Sequence, residues 1–214
     1  MPTAHFIDRL CADLVQRHGA HTVLLYGSHA DGSASPGSDY DLAGFADVPR
    51  TLRDARVVDG QFLDAFIYPE SLLAQPTHEQ LHMRSSRILL QRDRQASHFL
   101  TALDALYAAG PEAKPEDELQ AVRTWAWKML ARMERGDAEG NYRRHWLLMQ
   151  LLEDYFSLRR QWYLGPKKAL MLLRHSDPAV HAAFEAGLHP GATADAIRTL
   201  VQQVVGDAPD SAAI

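Results

Sequence analysis

The chain has 214 residues, 46% of them apolar and 23% charged, with a formal net charge of −5. That length suits one large or two small cored domains. The charge balance, with basic residues clustered only in "YRRHW", "LRRQW" and "PKK", excludes a protein that grips long nucleic acid by its phosphates.

No apolar run nears the ~18 residues of a membrane span, and the start "MPTAHFIDRL" lacks the basic-then-apolar order of a secretory signal. The single cysteine, Cys11, has no partner for an internal disulfide. The expected setting is therefore the cytoplasm, with no membrane partner.

Phe6, Ile7, Leu10 and Leu14 recur at helical spacing ahead of Gly19, which predicts an amphipathic helix over residues 4–18. Val23 to Tyr26 is a short apolar run ending at Gly27-Ser28 and predicts a strand; after a small-residue loop, Asp41 to Phe45 predicts the next. In "RVVDGQFLDAFIYP" the Asp59-Gly60 pair between two apolar runs marks a hairpin with a primed turn. Ile88 to Leu90 supplies a further short strand before a helix in "RQASHFLTALDALYAAG".

After "GPEAKPEDE" the strand pattern stops, which sets a boundary between residues 1–110, mixed in α and β, and 111–214, all helical. Helices are expected from Leu119 to Met133, from Tyr142 to Leu164, and over 166–174, 178–187 and 192–205, with the tail "GDAPDSAAI" fraying. The Tyr142 to Leu164 helix is apolar around more than half its circumference, so it must be buried on several sides. The fold class is α+β: a small mixed sheet with flanking helices, followed by a helical bundle.

The stretch "YGSHADGSASPGSDYD" carries the chemistry. Side chains two apart on a strand point to one face, so Asp39 and Asp41 converge. Two like charges entering a core repel and resist desolvation unless a cation sits between them. A hard divalent ion such as Mg²⁺ meets that need, because it prefers oxygen ligands and bridges carboxylates to phosphates. Gly27 lets backbone approach a ligand closely, and Ser28 can open a helix whose free N–H groups bind phosphate oxygens. A third carboxylate would permit two metals, and Asp64 is the candidate, since it interrupts the otherwise apolar "FLDAFIY". Asp59 has a conformational explanation in its turn and is left out. A plain loop would also account for the small residues, but it leaves Asp64 unexplained.

The segment "LLYGSHADGSASPGSDYDLAGF" resembles the signature of the DNA polymerase β-like nucleotidyltransferase superfamily: Gly-Ser, a spacer, Asp-x-Asp on the next strand, and a third Asp on a later one. The resemblance covers roughly residues 20–70. It implies that Gly27 and Ser28 position a nucleoside triphosphate and that Asp39, Asp41 and Asp64 hold two Mg²⁺ ions. The activity it implies is transfer of a nucleoside monophosphate, AMP first among them, to an acceptor with release of pyrophosphate. Many relatives carry arginines directly after Gly-Ser; this chain has His29 and Asp31, so a cationic contact to the triphosphate must come from elsewhere.

In "RRQWYLGPKKALMLL", Pro166 suits a first helical turn, which puts Lys167 and Lys168 at the positive end of a helix dipole. A bound anion would relieve that conflict, so one or both lysines are candidates to reach the triphosphate; solvation of an exposed surface is the plainer alternative. The segment also loosely resembles the helical domain of aminoglycoside nucleotidyltransferases, at a shorter spacing, with Arg160, Trp162, Tyr163 and Lys167 at the matching positions.

Wound as a helix, Tyr142 to Leu164 gathers Arg143, Gln150, Glu153, Asp154, Ser157, Arg160 and Gln161 in one polar arc with Trp146 inside it. Facing a cleft between domains, Glu153 could deprotonate an acceptor hydroxyl, or with Asp154 bind a cationic acceptor. The acceptor itself stays open among a small hydroxylated molecule, a protein side chain and an RNA end. A non-catalytic module of the same fold, such as the antidote half of a toxin–antitoxin pair, is the rival class, and carboxylates at all three positions argue against it. "HEQLH" at 78–82 matches a zinc motif that needs both histidines on one helix face. It specifies only three positions and has no third ligand downstream, so it reads as a coincidence.

Overall fold

A computed structural model of the chain describes residues 4–208 and divides into two units, residues 1–109 and 110–214. Residues 209–214 of the tail expected to fray lie outside the described residues.

In the first unit, Phe6, Ile7, Leu10 and Leu14 form the buried stripe of α1 (Ala4–His18). That stripe covers one face of a five-stranded sheet: β1 (Thr22–Tyr26), β2 (Tyr40–Ala46), β3 (Leu52–Val58), β4 (Gln61–Pro69) and β5 (Arg87–Leu90). The strand order is β3-β4-β2-β1-β5, with β2 and β4 parallel and the other neighbours antiparallel.

Alternation decides which residues meet α1: Val23 and Leu25, Tyr40 and Leu42, and Leu63, Ala65 and Ile67 all point into that core. The opposite face carries the odd residues of β2 and the even residues of β1 and β4. Its far half is closed by α3 (Gln95–Ala109), whose Phe99 meets Phe45 edge-on at 5.3 Å between ring centroids. Two 3₁₀ turns, Glu70–Leu73 and His78–Met83, add buried Leu73, Leu81 and Met83.

The hairpin predicted at Asp59-Gly60 is present. Both residues have positive φ, 49° and 77°, as a primed two-residue turn requires, and Val58 pairs with Gln61 across it. One further one-turn helix, α2 (Ser28–Asp31), follows β1 directly.

The second unit is all helical: α4 (Glu116–Met133), α5 (Ala138–Leu158), α6 (Pro166–Ser176), α7 (Pro178–Leu188) and α8 (Ala194–Val205). Its core is built from Ala126, Met129 and Leu130 of α4, Leu147, Leu151 and Phe156 of α5, Leu173 of α6, Phe184 of α7 and Leu200 and Val201 of α8. Asp137, Asp177 and Thr193 cap the N-termini of α5, α7 and α8 by accepting a backbone N–H three residues on. Among the described residues, no helix is long and apolar enough to cross a membrane.

The structure corrects one predicted element. The helix expected from Tyr142 to Leu164 ends at Leu158. Arg160 takes a left-handed conformation, φ 53°, and the Gln161 N–H donates to the Phe156 carbonyl at 2.8 Å. Such a bond satisfies a terminal carbonyl and stops the helix, a role usually given to glycine. No glycine or proline marks the stop before Gly165, so the pattern alone overran it. Arg160 and Gln161 therefore leave the polar arc of α5.

An L-residue in the left-handed region costs about 1 kcal/mol. Arg160→Gly is expected to raise the unfolding free energy by about 0.5 kcal/mol once glycine's greater freedom in the unfolded chain is set against the relieved strain; chemical denaturation measures it.

Candidate functional site

The parallel pairing of β2 with β4 puts Asp41 directly opposite Asp64, and the antiparallel pairing with β1 puts Tyr26 on Asp41's other side. Neighbouring strands lie about 4.8 Å apart and register partners share a face. Tyr26, Asp41 and Asp64 thus form a row across three strands, on the face that α1 does not cover. Asp39 sits one residue before β2 begins and is exposed.

Gly27 closes the row. Its φ is 68°, and a Cβ there would collide with the Asp41 carboxylate. The turn after β1 and the first aspartate of β2 are therefore packed backbone to side chain.

Burial pushes the Asp41 carboxyl up to about 6, the charges of Asp39 and Asp64 push the same way, and His29 opposes them. Asp39 and Asp64 are thus each close enough for their charge to act on Asp41. Tyr26 is also pushed up, by burial and then by Tyr68, Asp41 and Asp64.

The His29 ring stacks on Tyr40 at 3.9 Å and donates from Nε2 to the Ser38 carbonyl at 3.2 Å. Ser28 and His29 line a cavity of about 1030 Å³ together with His5, Arg9, Ser38 and Tyr40. The α2 helix that Ser28 opens is only four residues long, so its N–H groups offer a single turn.

Arg53 is the member of the site that the motif does not contain. It donates from Nε to Oδ1 and from Nη2 to Oδ2 of Asp64, both at 2.8 Å, with its guanidinium over the Phe66 ring at 5.3 Å. Those bonds hold the guanidinium pKa above its ordinary value. The signal was present in the chain: a two-residue turn that pairs 58 with 61 pairs 55 with 64, which leaves Arg53 diagonal to Asp64 on the same face.

The donor set of Asp39 and Asp41, oxygens only and mutually repelling, fits a hard divalent cation. Among the described residues no three His, Cys, Asp or Glu side chains form a ready-made metal cluster. Asp64 has both oxygens committed to Arg53, so its place in such a site depends on Arg53.

The second unit holds the remaining candidates. Glu153 is exposed on α5, while its neighbour Asp154 is 5% exposed. Asp154 accepts from Gln150 Nε2 at 3.1 Å on one oxygen, and its other oxygen is buried with no hydrogen-bond partner. Burial pushes this carboxyl up to about 6; the Gln150 bond and Lys114 lower it, and Glu153 raises it. Trp146 meets Trp125 edge-on at 5.5 Å. Lys167 and Lys168 occupy the first turn of α6 behind Pro166, as expected.

"HEQLH" forms a 3₁₀ turn capped by Thr77. At three residues per turn, positions four apart do not share a face, which removes the geometry a zinc motif needs.

No family model matches the chain, and no curated protein does. Among solved structures it is similar to a nucleotidyltransferase-like protein from Exiguobacterium sibiricum, at 13% identity and a TM-score of 0.43, over 94% of this chain and 77% of that one. At that distance the likeness assigns no residue a role.

Two outcomes follow from this geometry. Gly27→Ala is expected to displace the Asp41 carboxylate and to destabilise the fold by about 1–3 kcal/mol through strain at positive φ and the clash, read by thermal unfolding. For Asp154, an acid with a higher pKa folded than unfolded, stability present below about pH 4 is lost as pH rises through about 6. Asp154→Asn should flatten that decline and be the more stable protein at pH 7, by up to ~3 kcal/mol, measured by denaturation across pH.

Proposed function

We propose that the protein is a nucleotidyltransferase that moves a nucleoside monophosphate, AMP the first candidate, from a nucleoside triphosphate to a hydroxyl of a small acceptor and releases pyrophosphate. One observation carries the reading: the Asp41 carboxylate, its pKa raised first by burial and then by Asp39 and Asp64, is packed against the glycine of a Gly-Ser turn. Among the described residues no ion pair involves Asp41, while the arginine nearby is paired with Asp64. The resemblance noted from the sequence supports the same residues in the same order.

In this reading Asp39 and Asp41 hold Mg²⁺, with Asp64 joining them for a second ion. Bound Mg²⁺ would screen the phosphate charges as they build in the transition state. In this reading the Gly27-Ser28 turn, which seats the Asp41 carboxylate, positions the phosphates beside it. Lys167 and Lys168 are the proposed cationic contacts in place of the arginines missing after Ser28.

The acceptor hydroxyl attacks the α-phosphorus, the bond from α-phosphorus to the bridging oxygen breaks, and pyrophosphate leaves. The acceptor's proton passes to a carboxylate, Asp64 or Glu153.

The test is incubation with Mg²⁺, each α-labelled triphosphate and a panel of small hydroxylated molecules, proteins and RNA ends. Label is expected on a small acceptor with one pyrophosphate per transfer. Asp39→Asn and Asp41→Asn, folded by circular dichroism, should each lose at least ~100-fold in rate. Equal pyrophosphate release by wild type and Asp41→Asn, or none with any combination, would overturn the reading.

A further inference from the structure

We propose that Arg53 is a positioning residue: it holds Asp64 in place of a metal ion and must be displaced before Asp64 can ligate one. The inference rests on the nucleotidyltransferase reading above and concerns how its metal site is assembled.

Asp64 is the more enclosed partner, with a side chain 20% exposed, and it lies in register beside Asp41. Without a cation, the Asp64 carboxylate would lie beside Asp41, which Asp39 also repels, on a partly desolvated sheet face, the arrangement that makes unpaired carboxylates costly. Arg53 removes one of those charges by taking both Asp64 oxygens in a two-point pair.

The guanidinium is not locked in place. Its side chain is 60% exposed, and apart from its bonds to Asp64 it rests on the face of Phe66. Ala55 is directly opposite Asp64 and presents no bulk that would hold the arginine down. A dication arriving at Asp64 and a guanidinium spread across both its oxygens repel each other, so occupancy of one excludes the other.

The experiment is Mn²⁺ binding to the full chain by calorimetry, with no nucleotide present, for wild type, Arg53→Gln, Arg53→Lys and Asp64→Asn, each checked for folding by thermal unfolding. Arg53→Gln is expected to bind Mn²⁺ about three- to tenfold more tightly, the scale of a two-point ion pair that the metal no longer has to break. Arg53→Lys, which keeps the charge and loses the fork, should fall between Arg53→Gln and wild type and carries the test if Arg53→Gln does not fold. Adding Asp64→Asn to Arg53→Gln should erase the gain.

Equal or weaker binding by Arg53→Gln, or a gain that survives Asp64→Asn, overturns the role of Arg53 while leaving the metal-dependent reading intact. Absence of Mn²⁺ binding by both wild type and Arg53→Gln overturns that reading and the role of Arg53 with it.

Discussion

Asp41 can lie against the end of β1 only because residue 27 has no side chain. The strand β1 delivers Gly27 just past its C-terminal end, its positive φ turns the chain into α2, and the space left by the missing Cβ is filled by the Asp41 carboxylate. Every other feature of the site depends on this contact. It fixes where the first aspartate points, and the register of β2 on β4 then fixes Asp64 beside it. The physical conflict is also set there, since burial and two neighbouring acids all act against ionisation of Asp41. With the one arginine of the site paired to Asp64, the Asp41 carboxylate keeps its repulsion from both neighbours and is poised for a cation, whereas a turn built only for compactness would not bring acids together.

Much of this was legible in the chain because local chemistry and global fold agree at the positions involved. Gly27 and the Asp59-Gly60 turn are dictated by backbone conformation, and the shared face of Asp41 and Asp64 by strand alternation and register, while Asp39 precedes β2 and lies beyond the reach of that alternation. The helix boundary near Arg160 was not legible because the residue in the left-handed position is an arginine. The bond from Gln161 to Phe156 that ends α5 has no sequence mark of its own. Periodicity puts Asp154 in the polar arc of α5, yet it is buried. Helical winding gives the direction of a side chain on its own helix and says nothing of the neighbours that close over it.

The two buried acids illustrate different solutions to one cost. Asp154 lies among helices, with one oxygen bound to Gln150 and the other without a partner, and its raised pKa reflects desolvation first. Asp41 lies at an open edge, where neighbouring charge adds to burial. A group of the first kind can relax by taking up a proton and remaining neutral. A group of the second kind can relax either by protonation or by admitting a cation, and the second route is open because solvent reaches the edge. That difference in access, more than the size of either shift, separates a candidate catalytic acid from a structural one.

The hairpin of β3 and β4 ties the chemistry to strand register. Arg53 reaches Asp64 only because the primed turn pairs Val58 with Gln61, which sets Ala55 opposite Asp64 and Arg53 on the diagonal. A slip of one residue would send Arg53 to the α1 side of the sheet and bring Asp54 or Arg56 to the acidic edge instead. The side chains on that other face oppose the slip: Leu52 and Val58 pack into the α1 core, and Asp54 and Arg56 pair with His18 and Asp13 of α1. The ion pairs on one face of β3 therefore hold the arginine of the opposite face at the carboxylate row. The turn at Asp59-Gly60, far from any ligand in sequence terms, is in this sense part of the site.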